Sequence, residues 1–326
     1  MATLVDVATL AGVSVTTISR MLNNRTKISD KTRNKVIAAM KELDYHPDEI
    51  AQSLTKKKSN FIGLIVPSAK NFFYSQVIEY TEYFAVQKGY KLLLCISNHE
   101  TEKEIEYFGM LKANKVAGII IASRTQDLHR HLIIDSPLIS IDRILSPSIP
   151  SVCSDNYQGG VLAATHLINK GCKSLAYISG SAELELEANK RFIGFSDTCT
   201  AGKVMPPLFL DATEERFFSM DYQEIVAGLF EAAPQVDGIF TSNDIIAAQI
   251  LQYCSKHHIK IPETIKLIGY DDTDLASLCT PSISTIHQPI KEICRCAMNG
   301  IHRYSTTGSI PESLVLPVSF IERDTT

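Results

Sequence analysis

The hydrophobic period of this chain changes once, near residue 60, and that switch limits the possible fold more than any other feature. Before it the spacing is helical, with no strand signal. Thr3 is placed to N-cap a helix that puts Leu4, Val7, Ala8 and Ala11 on one face. Gly12-Val13-Ser14 breaks this helix, and a second, from about Val15 to Leu22, turns Ile18, Met21 and Leu22 inward until Asn23-Asn24 ends it. Ser29 or Asp30 caps a third helix burying Val36, Ala39, Met40 and Leu43, and Tyr45-His46-Pro47 stops it. From Phe61 onward apolar runs alternate with amphipathic helices. Strands are expected at Phe61–Val66, Lys91–Ile96, Val116–Ala122, Leu138–Ile141, Ser174–Ile178, Gly238–Thr241 and Lys266–Tyr270. Helices are expected near Phe73–Gln87, Glu100–Leu111, Tyr157–Asn169, Asn189–Thr198, Tyr222–Glu231 and Asp244–His257. Continuous apolar strands between helices describe parallel sheets covered on both faces. About 265 residues of this pattern is long for one doubly wound sheet, so two stacked α/β subdomains are expected, with a ligand cleft at the carboxyl ends of their strands.

Charge divides at the same place. Residues 1–60 carry ten Lys/Arg against six Asp/Glu, whereas residues 61–326 carry 22 against 30. A basic head on an acidic body points the head toward a polyanion. Between them, Pro47 could start a short helix carrying Ile50, Ala51 and Leu54, followed by Lys56-Lys57-Lys58. A helix of about eight residues is marginal alone in water and needs a partner. No stretch approaches the roughly 18 apolar residues of a membrane span. The N-terminus lacks the basic-then-apolar order of a secretory signal, so the chain is expected to stay in the cytoplasm, away from membranes. The eight cysteines form no C-x-x-C pair and no zinc spacing, and reduced structural thiols are expected. Cys294 and Cys296, two apart, would face different sides of a helix.

The segment from Val5 to Arg20 is a helix-turn-helix in physical terms: two short helices packed through Ala8, Val13 and Ile18 across a glycine turn. The second exposes Val15, Thr16 and Arg20, which share one outward face. Arginine suits guanine O6 and N7, and Thr or Val can touch a thymine methyl.

The run V-D-V-A-T-L-A-G-V-S-V-T-T-I-S-R-M-L-N, with T-R-N-K-V-I-A-A-M-K-E-L-D-Y-H-P and A-Q-S-L after it, resembles the lac repressor (LacI/GalR) family. The resemblance implies a small all-α helix-turn-helix head on an α/β periplasmic-binding-protein-like core of two doubly wound parallel-sheet subdomains. Residues 1–46 would be the DNA-binding domain, 47–60 a hinge-helix linker and 61–326 the sugar-sensing and dimerisation core. Within the core, the N-subdomain would be about 61–158 and 290–320, and the C-subdomain about 159–289 and 321–326. The family makes Val15, Thr16 and Arg20 base readers and sets Ser14, Thr17, Ser19, Asn23 and Tyr45 near phosphates, where they position without specifying. It places Leu54 as a wedge in the minor groove, from linker helices paired across a homodimer on a pseudo-palindromic operator. The alternative for Leu54 is a small contact to the core. Many relatives have Arg where this chain has Gln52.

The resemblance continues through Asn71-Phe72-Phe73-Tyr74, Ile141-Asp142-Arg143, Ser154-Asp155-Asn156, Arg191-Phe192-Ile193-Gly194-Phe195, Ser242-Asn243-Asp244, Gly269-Tyr270-Asp271-Asp272-Thr273 and Thr285-Ile286-His287-Gln288-Pro289. These suit a sugar, which offers apolar CH faces and a rim of hydroxyls. Phe73 and Tyr74 can stack on the faces, and Asp271, Arg191 and Asn243 can bind the hydroxyls. By similarity Arg143 and Gln288 complete the shell. Asp271 and Arg191 could instead be an internal ion pair, Phe73 plain core, and Asp142 and Asp155 turn caps or a brace for Arg143. N-F-F-Y-S-Q-V-I-E-Y, S-D-N-Y-Q-G-G, H-Q-P-I-K-E-I and L-V-L-P-V-S-F look most like the sucrose-operon repressors, which implies sucrose, fructose or a phosphorylated sugar as effector and no cofactor.

Three other functions compete with this reading. A sugar-binding transport protein of the same fold needs a signal peptide and no basic head. An enzyme finds no nucleophile elbow, P-loop, G-x-G-x-x-G or metal spacing here. A global catabolite regulator of the same family, answering a phosphoprotein, stays open.

Overall fold

Local chemistry starts the head. In the computed structural model, which describes residues 2–22, 28–45, 59–126, 128–131, 136–181, 184 and 186–326, Thr3 caps helix α1 (Leu4–Ala11) through a capping box. Its hydroxyl accepts from the Asp6 N–H at 3.3 Å, and the Asp6 carboxylate accepts from the Thr3 N–H at 2.7 Å. Gly12, at φ 66°, takes the left-handed turn that closes α1, and the axis then bends by 106° into α2 (Val15–Leu22). The Ser14 hydroxyl accepts from the Thr17 N–H at 3.1 Å at the start of α2. Ser29, the first of the two expected caps, caps α3 (Asp30–Glu42). Val7, Ala8, Ala11, Ile18, Met21, Val36 and Ala39 form one small core, edged by Leu4, Val13 and Tyr45.

The chain separates into two compact units, residues 1–59 and 60–326. The expected linker up to residue 58, its wedge residue Leu54 included, lies outside the described residues, as does Asn23.

The larger unit holds two six-stranded sheets. The first contains β1 (Phe61–Val66), β2 (Lys91–Ile96), β3 (Gly118–Ile121), β4 (Leu138–Ile141), β5 (Ser151–Ser154) and β11 (Leu314–Leu316), in the order β2-β1-β3-β4-β5-β11. The second contains β6 (Leu175–Ser179), β7 (Leu208–Asp211), β8 (Gly238–Thr241), β9 (Lys266–Asp271), β10 (Ser284–His287) and β12 (Ser319–Ile321), in the order β7-β6-β8-β9-β10-β12. All pairings are parallel except β10 with β12. The two sheets thus repeat one winding order. In each, the order reverses beside the first strand, and the crevice opens at its carboxyl end.

Helices α4 (Phe72–Gln87), α5 (Thr101–Ala113) and α12 (Ile290–Thr307) cover the first sheet. Around the second lie α6 (Asn156–Asn169), α7 (Lys190–Ala201), α8 (Glu214–Ser219), α9 (Gln223–Ala232), α10 (Asp244–Lys256) and α11 (Asp274–Leu278). The core strands β3, β4 and β8 are buried on both faces, which is why their sequence is apolar without alternation. Cys294 is buried in α12 and Cys296 only partly, and all eight cysteines are free thiols.

The chain passes between the sheets three times: after β5, after β10 and between β11 and β12. Two of the expected subdomain limits shift as a result. Helix α6, from Asn156, packs against α7 on the second sheet, so the first passage precedes residue 158; and Ser319 and Phe320, expected in the N-subdomain, pair within the second sheet. Helices α6 and α7 touch backbone to backbone. A Cβ on Gly160 would lie 2.0 Å from the Arg191 carbonyl oxygen, and one on Gly194 would lie 2.1 Å from that of Tyr157.

Candidate DNA-reading face and effector cleft

On the head, α2 buries Ile18 and Met21, so the opposite face carries Val15, Thr16 and Arg20, all exposed. Val15 is 39% exposed. Ser14 is exposed at the start of the same helix, and Thr17 and Ser19 are half-buried beside it. The Ser14 and Thr17 hydroxyls share a hydrogen bond of 2.8 Å. Tyr45 rests half-buried against the head core. Of the expected DNA contacts among the described residues, the three residues expected to read bases therefore share one open surface.

On the larger unit, the carboxyl ends of both sheets frame a cleft. Every strand that ends there delivers a polar side chain within a few residues: Asn71 after β1, Arg124 after β3, Asp142 after β4, Ser181 after β6, Asn243 after β8, Asp271 at the end of β9 and Gln288 after β10. Phe73, Tyr74, Tyr177 and Phe217 supply aromatic walls. Phe73 and Tyr74 meet edge to face with centroids 5.2 Å apart, and both also belong to the hydrophobic core of the first sheet. Phe73 thus both lines the cleft and packs in the core.

Arg191 is the most thoroughly held of these residues. Its Nε donates to Asn156 Oδ1 at 2.7 Å, its Nη1 donates to the Ser242 carbonyl at 2.5 Å, and its guanidinium lies 3.6 Å over the Tyr270 ring. Asp271 stands 4.0 Å from Nη1, at the outer limit of an ion pair, and accepts from Gln288 Nε2 at 2.6 Å. Burial pushes the Asp271 carboxyl well above its ordinary pKa, with nearby Arg191 pulling the other way. Burial likewise raises the Asp142 carboxyl and the Tyr74 phenol. Both aspartates sit at positive φ, 57° for Asp142 and 104° for Asp271, a backbone conformation that costs energy and collects at ligand sites. Asn243 lines the cleft while its Oδ1 accepts from the Ile246 N–H, capping α10.

Arg143 does not line the cleft. Its Nη1 donates to the Ser123 and Thr125 carbonyls, at 3.3 and 2.7 Å, and so braces the segment that carries Arg124. Arg124 occupies the place expected for Arg143. Asp142, expected to cap or brace, instead lines the cleft with its buried Oδ1 unpaired among the described residues. Asp155 does cap, accepting from the Gln158 N–H at the start of α6.

Arg124 also spans the cleft. It comes from the first sheet, forms a two-pronged pair with Glu214 of α8 on the second, and lies 3.9 Å over the Phe217 ring. Beside it, His99 of the first sheet's side stacks on Phe218 of α8 at 3.6 Å. Together these contacts clasp the two lobes at the lip away from the strand passages.

Sequence comparison fits this geometry. The model for the lacI family of bacterial regulatory proteins matches residues 3–48, and that for a periplasmic binding protein-like domain matches residues 164–326. The sucrose operon repressor of Streptococcus mutans serotype c is 37% identical over 320 residues, covering 98% of each chain. The chain belongs to the lacI family. The ribose operon repressor of Bacillus subtilis is also 37% identical, over 100% of this lacI-family chain and 99% of its own. Among solved structures, the lac repressor dimer bound to operator and the anti-inducer ONPF superposes with a TM-score of 0.86 at 25% identity, over 99% and 98% of the two chains. A periplasmic binding protein/LacI transcriptional regulator from Alkaliphilus metalliredigens complexed with D-xylulofuranose gives 0.71 at 33% identity, over 82% of this regulator and 99% of that chain. Among the described residues of the regulator, no single helix is long and apolar enough to cross a membrane.

Proposed function

We propose that this lacI-family regulator is a transcriptional repressor that binds a pseudo-palindromic operator as a homodimer and releases it when a small sugar fills the cleft. The observation that carries the reading is the convergence of seven strand ends, each with a polar side chain, on one aromatic-walled crevice. Val15, Thr16 and Arg20 read bases, with Ser14, Thr17, Ser19, Asn23 and Tyr45 at the backbone and Leu54 wedged in the minor groove. Phe73, Tyr74, Asn243, Asp271, Arg191 and Gln288 hold the sugar, joined by Arg124 and Asp142. Sucrose and fructose are the first sugars to try, given the Streptococcus mutans relative, and ribose follows from the Bacillus subtilis one. The protein acts in the cytoplasm and turns over no substrate, in keeping with a family made up of transcription regulators.

Release follows from the cleft. A sugar that bridges the lobes favours their closed arrangement, which moves the N-terminal lobes of a dimer relative to each other. The two linker helices then part and unfold, since neither is stable alone. Linkage requires operator to weaken sugar binding by the same factor, typically about 5–150-fold. Calorimetric titration of sugars with operator gel shifts in parallel tests the proposal. A sugar that binds tightly and leaves operator affinity untouched overturns the release mechanism, and one that tightens DNA binding makes it a corepressor.

A further inference from the structure

If the cleft holds a sugar, its walls also say whether that sugar carries a phosphate. Three features bear on this, and the first is the cleft's cations. Among the described residues Arg124 and Arg191 are the cationic side chains that line it, and neither is spare. Arg124 is neutralised by two hydrogen bonds from its guanidinium to Glu214. Arg191 donates to Asn156 and to the Ser242 carbonyl, stacks on Tyr270, and has Asp271 beside it. Among the described residues no lysine lines the cleft.

The second feature is the set of helix starts. In doubly wound sheets a phosphate sits on the free N–H groups of a helix that follows a strand. Here three such helix starts each have one N–H taken by a side chain of the protein. Asn71 Oδ1 accepts from the Phe73 N–H of α4, Asp155 Oδ1 from the Gln158 N–H of α6, and Asn243 Oδ1 from the Ile246 N–H of α10. The start of α7 has no side-chain cap, and the cation there, Lys190, is paired with Glu187 at 2.7 Å.

The third feature is what the walls lack. Asp142 Oδ1 and Gln288 Oε1 are buried without a hydrogen-bond partner among the described residues, and so is Ser181 Oγ. The first two are a carboxyl oxygen and an amide oxygen, groups that ask a ligand for donors. A sugar hydroxyl is a donor; a phosphate dianion has none to give.

We infer that the cleft selects an uncharged sugar and rejects its phosphate ester. This rests on the sugar-effector reading above. Among the described residues a phosphate would find both lining arginines already engaged and the carboxyls of Asp142, Asp271 and Glu214 nearby, and unpaired buried charge is costly.

Calorimetry on the full-length protein with matched pairs tests this: sucrose against sucrose 6-phosphate, fructose against fructose 6-phosphate, ribose against ribose 5-phosphate. In whichever pair binds, the phosphate ester is at least about a hundredfold weaker, the scale of leaving a buried charge unpaired. An ester that binds as tightly as its parent, or tighter, overturns the inference while leaving the sugar-effector reading intact. Silence from both members of every pair overturns that reading and the inference together. Glu214→Gln provides an independent arm. By freeing the Arg124 charge it should strengthen ester binding at least tenfold relative to the parent sugar. An unchanged ratio would refute the claim that Glu214 occupies that charge.

Discussion

Replacing Gly160 with alanine tests how firmly the α6–α7 contact sets the cleft. The added Cβ would lie 2.0 Å from the Arg191 carbonyl oxygen and 2.7 Å from the Phe195 nitrogen, whereas ordinary contact begins at 3.4 Å, so the helices must part by about 1.4 Å. Both atoms are backbone, and no flexible side chain can yield instead. Overpacking of this kind costs about 1–3 kcal/mol. At about 2–4 °C per kcal/mol for a large domain, the melting temperature should fall by roughly 2–12 °C. The atom struck belongs to the residue whose side chain enters the cleft. Its hydrogen bonds to Asn156 and Ser242, at 2.7 and 2.5 Å, cannot both survive such a shift. Losing one charged hydrogen bond costs about 1.5–3 kcal/mol, so sugar affinity should fall about ten- to a hundredfold. Operator binding without sugar should not change. Differential scanning calorimetry, sugar titration and operator anisotropy on one preparation give all three numbers. A variant with wild-type melting temperature and sugar affinity would refute the argument that this contact positions Arg191.

Arg20→Ala should cost about 1–3 kcal/mol on the cognate operator and little on random DNA, read by gel shift; equal losses would remove Arg20 from base reading. Leu54→Ala should weaken operator binding and reduce bending in a circular-permutation assay while sparing sugar affinity, and an unaltered bend would end the wedge role. Arg191→Ala should yield a repressor that binds operator but is no longer released by sugar; normal induction would show that Arg191 is dispensable to the effector. His99 gives a pH dependence. Burial first, and Arg124 second, push its pKa from the ordinary 6.5 to about 4, so the neutral ring is the one that stacks on Phe218. This clasp is fully present above pH 6.5 and is lost as pH falls toward 4. Sugar affinity should therefore be weaker at pH 5 than at pH 7.5, and His99→Phe should flatten the difference. Parallel profiles in the two proteins would exclude His99 as the cause.

The head was readable because its signals are local. Thr3 and Asp6, Gly12 and Ser29 act within three or four residues of themselves, so sequence spacing states their role directly. The strands β5 and β10 carry no strand signal in the sequence, since Ser151-Val152-Cys153-Ser154 and Ser284-Thr285-Ile286-His287 read as polar. Their burial comes from neighbouring strands that only the tertiary fold supplies. The edge strand β7 was missed too, although Leu208 and Leu210 alternate inward. The exchange of Arg143 for Arg124 has the same origin. Both arginines follow a strand closely, and nothing in the spacing tells which one is spent on carbonyls. A stricter use of the rule that ligand groups sit at strand carboxyl ends would have brought Arg124 forward, three residues past β3.

The three passages between the sheets carry a consequence for how such a regulator can diversify. Neither lobe is a continuous stretch of chain: the first sheet recruits β11 from near the end of the sequence, and the second closes with β12 only after it. A recombination that exchanges one contiguous gene segment therefore cannot import a whole lobe with its half of the cleft. New ligand preference must arise by single substitutions at the strand ends, where Arg124, Asp142, Ser181 and Gln288 stand far apart in sequence and side by side in space. The head, by contrast, is one uninterrupted segment of 59 residues and can be inherited whole. Operator choice and effector choice are thus free to evolve by different routes, the first by module exchange and the second by point mutation.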